Sequence, residues 1–401
     1  MTDTSRTPVI VAAARTPIGK YLGALASVSA PDLGAIAIRA ALTRAGIQGD
    51  QVNEVIMGHV LQGGTGQAPA RQAMLKAGVP SSVSAMTINK VCGSGLKAVM
   101  LAAQSIKAGD SQVVVAGGQE SMSNAPHYLF NHRGGVKIGD QTIVDGMIRD
   151  GLWCASCDVH MGSHAEYTAR KGGISRQRQD EFSVQSHLKA VAAQEAGKFD
   201  AEIVPVEIAG RKGPTVVSVD EGPRKDASVE SLGRLRPAFS DEGATELSVT
   251  AGNASSLNDG GAALVVTSEA YAKAHGIPIL ARIDAYGTGA VDPRDLFFAP
   301  VTAVTNLLKK TGTAIGDYDL IEANEAFASQ ALADGDALGW DFDRVNVNGG
   351  AIALGHPIGA SGARVLITLL HAMAERGKGR GLATLCLGGG DAVAMSVSRD
   401  A

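Results

Sequence analysis

The sequence predicts an α/β fold made of two similar halves with an inserted, more exposed subdomain between them. Short β-rich runs alternate with helical stretches over the first 120 residues, and this alternation resumes after Gly276. The section between, roughly residues 121–255, is instead rich in glycine, charge and turns. Alternation of strands and helices is typical of a parallel sheet with crossover helices. The chain of 401 residues is long enough for two or three domains of ordinary size.

In the first half, the runs "PVIVAAA", "EVIMGHV" and "QVVVAGG" have the composition of buried strands. A helix is predicted from about Asp32 to Ala45, because Gly46 follows as a stop signal. A second helix should end near Gly109 for the same reason. In the middle section, "NHRGGVKIGD" and "DEGPRKD" predict exposed turns, and a polar helix is predicted over Ser175 to Ala196 before Gly197.

The second half repeats the pattern of strand and helix. Strands are expected in "IPILARIDAYG", "YDLIEAN", "VNVNGGAIAL", "GLATLCLGG" and "AVAMSVS", and helices near Thr302–Lys310, after "YDLIEAN", and over about Ala360–Arg376. Each half also has a turn of small residues that leads into a helix, "CGSGLKAVMLAAQSI" in the first and "GHPIGASGARVLITLLHAM" in the second. This likeness indicates an ancient duplication.

Composition excludes several classes of protein. A formal net charge of -4 gives no electrostatic footprint for nucleic acid or an anionic membrane, although a local basic patch could still hold a phosphorylated ligand. No run approaches the roughly 20 apolar residues of a membrane span, and the N-terminal apolar run is too short for a signal peptide, so a cytoplasmic protein is expected. Four cysteines are too few and too scattered for a disulfide framework.

One cysteine stands in an unusual place, the stretch "NKVCGSGLKAV" around Cys92. If a helix begins just after it, the unpaired amides and the positive dipole end point toward the sulfur and favour the thiolate, which is the nucleophilic form. Gly93 and Gly95 would leave space for a substrate to approach. Taken alone, Cys92 is better explained as a buried cysteine that acts as a small apolar residue.

Three other stretches carry groups that suit the same chemistry. His356 lies in a turn between glycines and ahead of a helix, where an imidazole can exchange a proton. Cys386 ends a β-run before three glycines, whose backbone can act as an array of donors. Asn324, in "EANEAF", lies where a strand passes into a helix, and its amide could fix a water or an oxyanion there.

Together these motifs resemble the thiolase family, from "VIVAAARTPIGKYLGAL" at the start to "GLATLCLGGG" near the end. The resemblance implies duplicated α/β halves in a layered αβαβα arrangement with an inserted loop subdomain. It assigns residues 1–121 and 256–278 to the N-terminal half and 279–401 to the C-terminal half. The inserted subdomain, residues 122–255, would bind CoA and support oligomerisation.

The resemblance also implies roles for the site residues. Cys92 would be acylated by an acyl-CoA, His356 would activate it, and Cys386 would move a proton at the α-carbon of the second substrate. Asn324 would hold a water that forms one oxyanion hole with His356, and Gly388 would donate its N–H to a second hole together with that of Cys92. A Claisen condensation of two thioesters needs such a covalent carrier, a base and donors for the enolate.

Further positions match family segments that contact the acyl group and CoA. Arg224 would lie near the adenine nucleotide, where a fixed positive charge suits phosphates, although it reads equally as a solvated loop charge. The expected substrate-binding residues are Leu152, His160, Met161, Arg224, Phe239, Ala251, Ser255 and Phe327.

Three features depart from the family pattern or add to it. Phe297 and Phe298 replace small residues near the acyl end of the site and could narrow or reshape it. Asp391 stands where an apolar or small residue is expected, and the sequence gives no reason for it. The array C-x-x-C-x-x-H-x-x-x-H in "CASCDVHMGSH" looks like a zinc site or a redox pair, but four ligands from eleven residues would demand a very tight reversal. We therefore expect pocket packing there and no metal.

The function expected from the resemblance is acetyl-CoA acetyltransferase activity, the reversible condensation of two acetyl-CoA into acetoacetyl-CoA and CoA through an acyl-Cys92 intermediate. Thiolysis of longer or branched 3-ketoacyl-CoA is the alternative that Phe297 and Phe298 keep open. A non-catalytic acyl-CoA-binding protein would lack active groups that are present here, and a carrier-dependent ketoacyl synthase would use other groups than Asn324, His356 and a second cysteine. No cofactor besides the CoA thioesters, no nucleic acid and no membrane partner are expected. A homotetramer, a dimer of dimers, is expected through the loop "HYLFNHRGGVKIGD", with a dimer second.

Overall fold

The computed structural model describes residues 4–211, 213–242 and 244–400. Within these ranges, none of the helices has the length and apolar character needed to cross a membrane. The strands are β1 (Pro8–Arg15), β2 (Gly19–Lys20), β3 (Glu54–Gly58), β4 (Ser84–Ile88), β5 (Val113–Ser121), β6 (His127–Leu129), β7 (Ile143–Asp145), β8 (Trp153–Cys154), β9 (Val159–His160), β10 (Val206–Ile208), β11 (Thr215–Val217), β12 (Asn258–Ser268), β13 (Ala281–Ala290), β14 (Leu320–Ala323), β15 (Arg380–Leu387) and β16 (Asp391–Ser398). The α-helices are α1 (Ala30–Ala45), α2 (Pro69–Lys76), α3 (Ser94–Ala108), α4 (Met161–Gly172), α5 (Arg176–Glu195), α6 (Val229–Gly233), α7 (Glu269–Ala274), α8 (Ala299–Thr311), α9 (Ala328–Leu338), α10 (Ala351–Leu354) and α11 (Ile358–Glu375).

The main sheet has ten strands and joins the two halves of the chain. Its order is β14-β15-β16-β13-β1-β12-β5-β3-β4, with β2 beside β12. The expectation of a parallel sheet is wrong, because β12 runs antiparallel to both β1 and β5, and β13 and β16 also pair antiparallel. The parallel pairs are β3 with β4, β3 with β5, and β14 with β15. A tight turn joins β15 to β16, and such a turn can connect only antiparallel strands.

Five layers follow from how helices cover this sheet. The central helices α3 and α11 share one apolar core with both halves of the sheet, through Leu96, Val99, Ala363 and Leu366 among others. Helices α1 and α2 cover the outer face of the first half, and α8 covers that of the second. The arrangement is therefore α, β, α, β, α, and the expected fold class is confirmed.

The two central helices approach closely because each has a glycine where it contacts the other. A Cβ on Gly95 would lie 2.7 Å from the backbone nitrogen of Ala363, and one on Gly362 would lie 2.5 Å from that of Leu96. A Cβ on Gly93 would lie 2.2 Å from a methyl of Leu387. Gly93 and Gly95 therefore allow close packing within the protein, and the expectation that they leave room for a substrate is wrong.

Most helices begin and end where the sequence predicts. Ser175 caps α5 by accepting a hydrogen bond from the N–H of Arg178, and Gly46 ends α1 in the left-handed region at φ 65°. Among the predicted strands, the one expected in "VNVNGGAIAL" does not form. The side chain of Asn346 takes the place of a strand partner by accepting from the N–H of Ala323 and donating to its carbonyl, both at 2.9 Å.

The middle section lies outside the ten-stranded sheet. It contains the hairpins β6–β7, β8–β9 and β10–β11 and the helices α4, α5 and α6. Helix α4 packs against α9 and α5 packs against α10, whereas β10 and β11 share an apolar cluster with Leu25 and Leu33. The section therefore contacts both halves of the chain. The segments next to α4 form one wall of the cavity described below.

Candidate active site

A cavity of about 410 Å³ lies where the middle section meets the ends of both central helices. Cys92, His356, Cys386 and Gly388 line it, although nearly 300 positions separate the first from the last. Of the residues expected to bind substrate, seven also line it: Leu152, His160, Met161, Phe239, Ala251, Ser255 and Phe327. The remaining wall is mostly apolar, and sequence reasoning missed these members of it: Met122, Met147, Ile148, Leu257 and Ile358.

Cys92 lies in the turn between β4 and α3, one residue after a strained position. Val91 has φ 46°, which β-branched residues rarely adopt, and its N–H donates to Asn89 Oδ1 at 2.9 Å. Cys92 is half-buried with its open surface on the cavity. Burial raises the pKa of its thiol to about 12, although hydrogen bonds from the backbone N–H groups of Gly388 and of Cys92 itself act to lower that pKa. The expectation that the helix terminus favours a thiolate at rest is therefore wrong, since desolvation outweighs these donors.

His356 presents an unprotonated nitrogen to the cavity. The hydroxyl of Ser361 donates to the carbonyl of Pro357 at 2.9 Å, so its oxygen must accept from Nδ1–H of His356, 2.7 Å away. This places the proton on Nδ1 and leaves Nε2, which has no hydrogen-bond partner among the described residues, with its lone pair. Burial, aided by the charge of Arg364, lowers the pKa of His356 to about 3, so the imidazole is neutral.

Two buried polar residues, which sequence reasoning missed, anchor this turn. Asn258 accepts the backbone N–H of His356 at 2.9 Å and donates to the carbonyl of Gly19 at 2.9 Å. The carboxylate of Glu120 accepts backbone N–H groups of Val60 and Gly359 at 3.0 and 2.9 Å. The start of α11 is thus tied to the first half of the chain, which holds the imidazole in place beside Cys92.

Cys386 and Asn324 come from neighbouring strands of the second half. Cys386 is 1% exposed near the end of β15 and lines the cavity, and burial raises the pKa of its thiol, with the nearby Cys92 adding to the effect. Asn324 follows β14, and its N–H donates to the carbonyl of Thr384 at 3.0 Å. Asn324 is fully buried, does not belong to the cavity lining, and has neither side-chain atom bonded to another described residue. A buried amide of this kind is available to hold a water or ligand oxygen.

An ion pair explains Asp391, for which the sequence offered no account. Its carboxylate contacts the ammonium of Lys90, two residues before the nucleophile. Asp391 itself begins β16, directly after the glycine turn that carries Gly388. The pair therefore joins the turn of Cys92 to the turn whose N–H points at its sulfur.

Aromatic rings form part of the cavity wall. Phe297 is 2% exposed, lines the cavity and meets Phe327 at a ring-centroid distance of 5.3 Å, and Phe239 stacks on His160 at 4.9 Å. The expectation that Phe298 also shapes the acyl end is wrong. Phe298 does not line the cavity and packs instead against a cluster formed by Ile174 and two residues of α9, Leu332 and Ala333.

Arg224 does not line the cavity either. Its guanidinium contacts the ring of His187 at 3.1 Å, and the side chain is exposed at the surface. Burial and the charge of Arg224 lower the pKa of His187 to about 4, so this imidazole is neutral beside the cation. The role of Arg224 toward the nucleotide of CoA stays a prediction.

Two thiols and a neutral imidazole around one apolar cavity define a site for acyl transfer through a cysteine. Residues 8–270 match the thiolase N-terminal domain and residues 277–399 the thiolase C-terminal domain. The chain belongs to the thiolase family, as the motifs predicted.

The similarity to curated proteins extends over nearly the whole chain. An acetyl-CoA acetyltransferase of Pseudomonas aeruginosa is 56% identical over 393 residues, 98% of this chain and 99% of that protein. One of Cupriavidus necator is 57% identical over 392 residues, with coverage of 98% and 99%. The crystal structure of the Bacillus anthracis acetyl-CoA acetyltransferase superposes with a TM-score of 0.95 at 43% identity and covers 98% of each chain.

Proposed function

We propose that this thiolase is an acyltransferase that condenses two acetyl-CoA into acetoacetyl-CoA and CoA, and runs the reverse thiolysis at the same site. The observation that carries the proposal is the meeting of Cys92, Cys386 and the free Nε2 of His356 on one cavity. The names of the similar proteins support the choice of substrate.

In the first half-reaction, Cys92 takes the acetyl group. His356 Nε2 accepts the thiol proton as the sulfur attacks the thioester carbonyl, and the bond from that carbon to the CoA sulfur breaks. The proton then passes from His356 to the leaving CoA thiolate, so the products are acetyl-Cys92 and CoA. Because thiol and imidazole are both neutral at rest, charge develops in this apolar cavity only as the bond forms.

In the second half-reaction, Cys386 works at the α-carbon of the other acetyl-CoA. The Cys386 thiol first gives its proton to His356 Nε2, and the thiolate then removes a proton from the α-carbon. The enolate attacks the acyl carbon of acetyl-Cys92, the bond from that carbon to the Cys92 sulfur breaks, and His356 returns its proton to that sulfur. In thiolysis the same step runs backwards, with the Cys386 thiol protonating the leaving carbanion of acetyl-CoA. Burial keeps Cys386 protonated at rest, which suits the start of thiolysis.

Oxyanions in both steps need donors at fixed positions. The N–H groups of Gly388 and Cys92, which already point at the sulfur, are the donors we assign to the acyl oxygen. A water held by Asn324 is assigned, together with His356, to the enolate oxygen, since the buried amide of Asn324 has no hydrogen-bond partner among the described residues. We propose that acyl transfer itself uses no cofactor besides the CoA thioesters.

We also propose a cytoplasmic homotetramer that assembles through the hairpin β6–β7 and its connecting loop. Apolar side chains are exposed along this segment, with Ile138 at 106% and Phe130 at 50% of full exposure. Exposed apolar groups in one continuous segment are typical of an interaction surface. Native mass spectrometry should find tetramers that an Ile138→Asp variant loses, and a monomeric parent protein would contradict the proposal.

A substrate series on the purified enzyme tests the activity. Condensation of acetyl-CoA and thiolysis of acetoacetyl-CoA should both proceed, and both should disappear in Cys92→Ala. The second candidate is thiolysis of longer 3-ketoacyl-CoA, which the apolar wall favours, whereas the ring of Phe297 opposes it. Higher kcat/KM for longer 3-ketoacyl-CoA than for acetoacetyl-CoA would replace the first proposal by the second.

A further inference from the structure

A second cluster of reactive side chains lies behind the wall of the acyl pocket. The sulfurs of Cys154 and Cys157 and a ring nitrogen of His164 all lie within 4.8 Å of one another. Cys154 is 3% and His164 2% exposed, and Cys157 is half-buried. His160, the fourth member of the array seen in the sequence, turns away, because its Nδ1 accepts the N–H of Gly162 at 3.0 Å. A metal site here would therefore need only three ligands from the chain, and four ligands would not have to come from eleven residues.

The imidazole of His164 is oriented as a ligand. Its Nε2 is buried and has no hydrogen-bond partner among the described residues. The ring also makes a hydrogen bond to the backbone of Arg294, which must fall to Nδ1 and places the proton there. An imidazole anchored by a backbone carbonyl at one nitrogen, with a lone pair at the other, is the usual arrangement of histidines that bind metals.

The chain is locally shaped to bring the two sulfurs together. Cys154 ends β8, and the hairpin reverses at Asp158, whose φ is 55° and whose N–H donates to the carbonyl of Cys154 at 2.8 Å. The indole of Trp153 donates to the carboxylate of Asp158 at 2.9 Å, which fixes the same turn. Helix α4 begins directly after the hairpin and carries His164 in its first turn.

We propose that Cys154, Cys157 and His164 bind one zinc ion, with a water molecule as the fourth ligand. Two thiolates and a neutral imidazole are ligands that zinc prefers, and C-x-x-C is a common spacing in such sites. Two thiolates also neutralise the charge of the ion, which favours binding in a largely buried place. A disulfide between the cysteines would join the sulfurs but leave the buried Nε2 of His164 without a partner among the described residues, so the metal accounts for all three groups.

The ion would act on the architecture of the pocket. It would tie the hairpin β8–β9 to helix α4, and between the ligands lie His160 and Met161, which line the cavity. The acyl transfer at Cys92 takes place in the cavity, with groups other than these three ligands. The site thus goes beyond the proposed function, and its occupancy can be measured without any substrate.

Elemental analysis of the full chain, expressed without a histidine tag, tests the proposal. After incubation with zinc chloride and gel filtration, the parent protein should hold one zinc per chain. Cys154→Ser and His164→Gln should each lose most of it, whereas the matched controls Cys92→Ser and His275→Gln should keep it. Equal zinc in the parent and both cluster variants would overturn the proposal.

Cobalt on the unaltered protein gives a result that does not depend on the folding of the variants. One equivalent of cobalt chloride should produce a thiolate charge-transfer band and the intense visible bands of tetrahedral cobalt, and excess zinc should remove both. Absence of these bands with both thiols titrating as free would overturn the proposal. A Cys154–Cys157 disulfide in freshly isolated, metal-free protein would overturn it as well.

Discussion

We predict that the ring of Phe297 limits the length of the acyl chain, so its removal should extend the range of substrates. Phe297→Ala deletes the six ring carbons of a residue in the cavity wall that is 2% exposed, and whose ring centroid lies 5.3 Å from that of Phe327. A substrate longer by two methylenes could then be buried there. At about 0.8 kcal/mol per buried methylene the gain is about 1.6 kcal/mol, which corresponds to about 15-fold in relative kcat/KM.

The assay is thiolysis of 3-ketohexanoyl-CoA and of acetoacetyl-CoA by the same preparations. The ratio of the two kcat/KM values should rise about 15-fold in Phe297→Ala. Phe298→Ala is the matched control, because it removes the same ring from the next residue but outside the cavity. An unchanged ratio in Phe297→Ala, or an equal rise in Phe298→Ala, would refute the reasoning.

Three further predictions concern the groups around the nucleophile. The pKa of His356 is lowered to about 3, so the imidazole stays a free base in mild acid, and the rate of Cys92 acetylation should fall by less than about twofold from pH 7.5 to 5.5. An ordinary histidine would cause about a tenfold loss over this range, and a stopped-flow measurement of CoA release that shows such a loss would contradict the prediction. Ser361→Ala leaves the Nδ1–H of His356 buried without an acceptor, which costs about 1–3 kcal/mol, so steady-state kcat should fall about 5- to 150-fold with little change in KM. Ser361→Thr should recover part of the lost activity, and an effect on KM alone would argue against a positioning role for Ser361. Asp391→Asn removes a half-exposed ion pair with Lys90, which is worth about 0.2–1 kcal/mol, so kcat should fall by no more than about fivefold, and by less at high salt. A loss of kcat above a hundredfold would mean that the carboxylate has a role beyond its ion pair with Lys90.

Local sequence signals predicted the helix ends well, because a helix end depends on residues that are neighbours in the sequence. Gly46 ends α1 in the left-handed region and Ser175 caps α5, as glycine and serine do at such places. Strand direction depends on partners far along the chain, and alternation of elements does not encode it. The expected parallel sheet is mixed for this reason, and the antiparallel pairing of β12 with β1 and β5 is invisible in the sequence.

The chemistry of the site was predictable from residue types and family motifs, and its physical state was not. Cys92, His356 and Cys386 do line one cavity, but the pKa of Cys92 rises because buried surroundings outweigh the donors at its sulfur. Phe297 and Phe298 are adjacent in sequence at the end of a short 3₁₀-helix, Pro293–Phe298, and only the fold decides which of the two rings lines the cavity. Packing, burial and long-range pairing are the terms that the sequence leaves open.

Covalent labelling tests most directly the claim that Cys92 carries the acyl group. The purified enzyme is mixed with acetyl-CoA, quenched in acid, digested and read by peptide mass spectrometry. We predict one acetyl group per active site on the peptide that contains Cys92, and its loss after addition of CoA. An acetyl group on Cys386 instead, or turnover with no acetylated cysteine in rapidly quenched samples, would contradict the account.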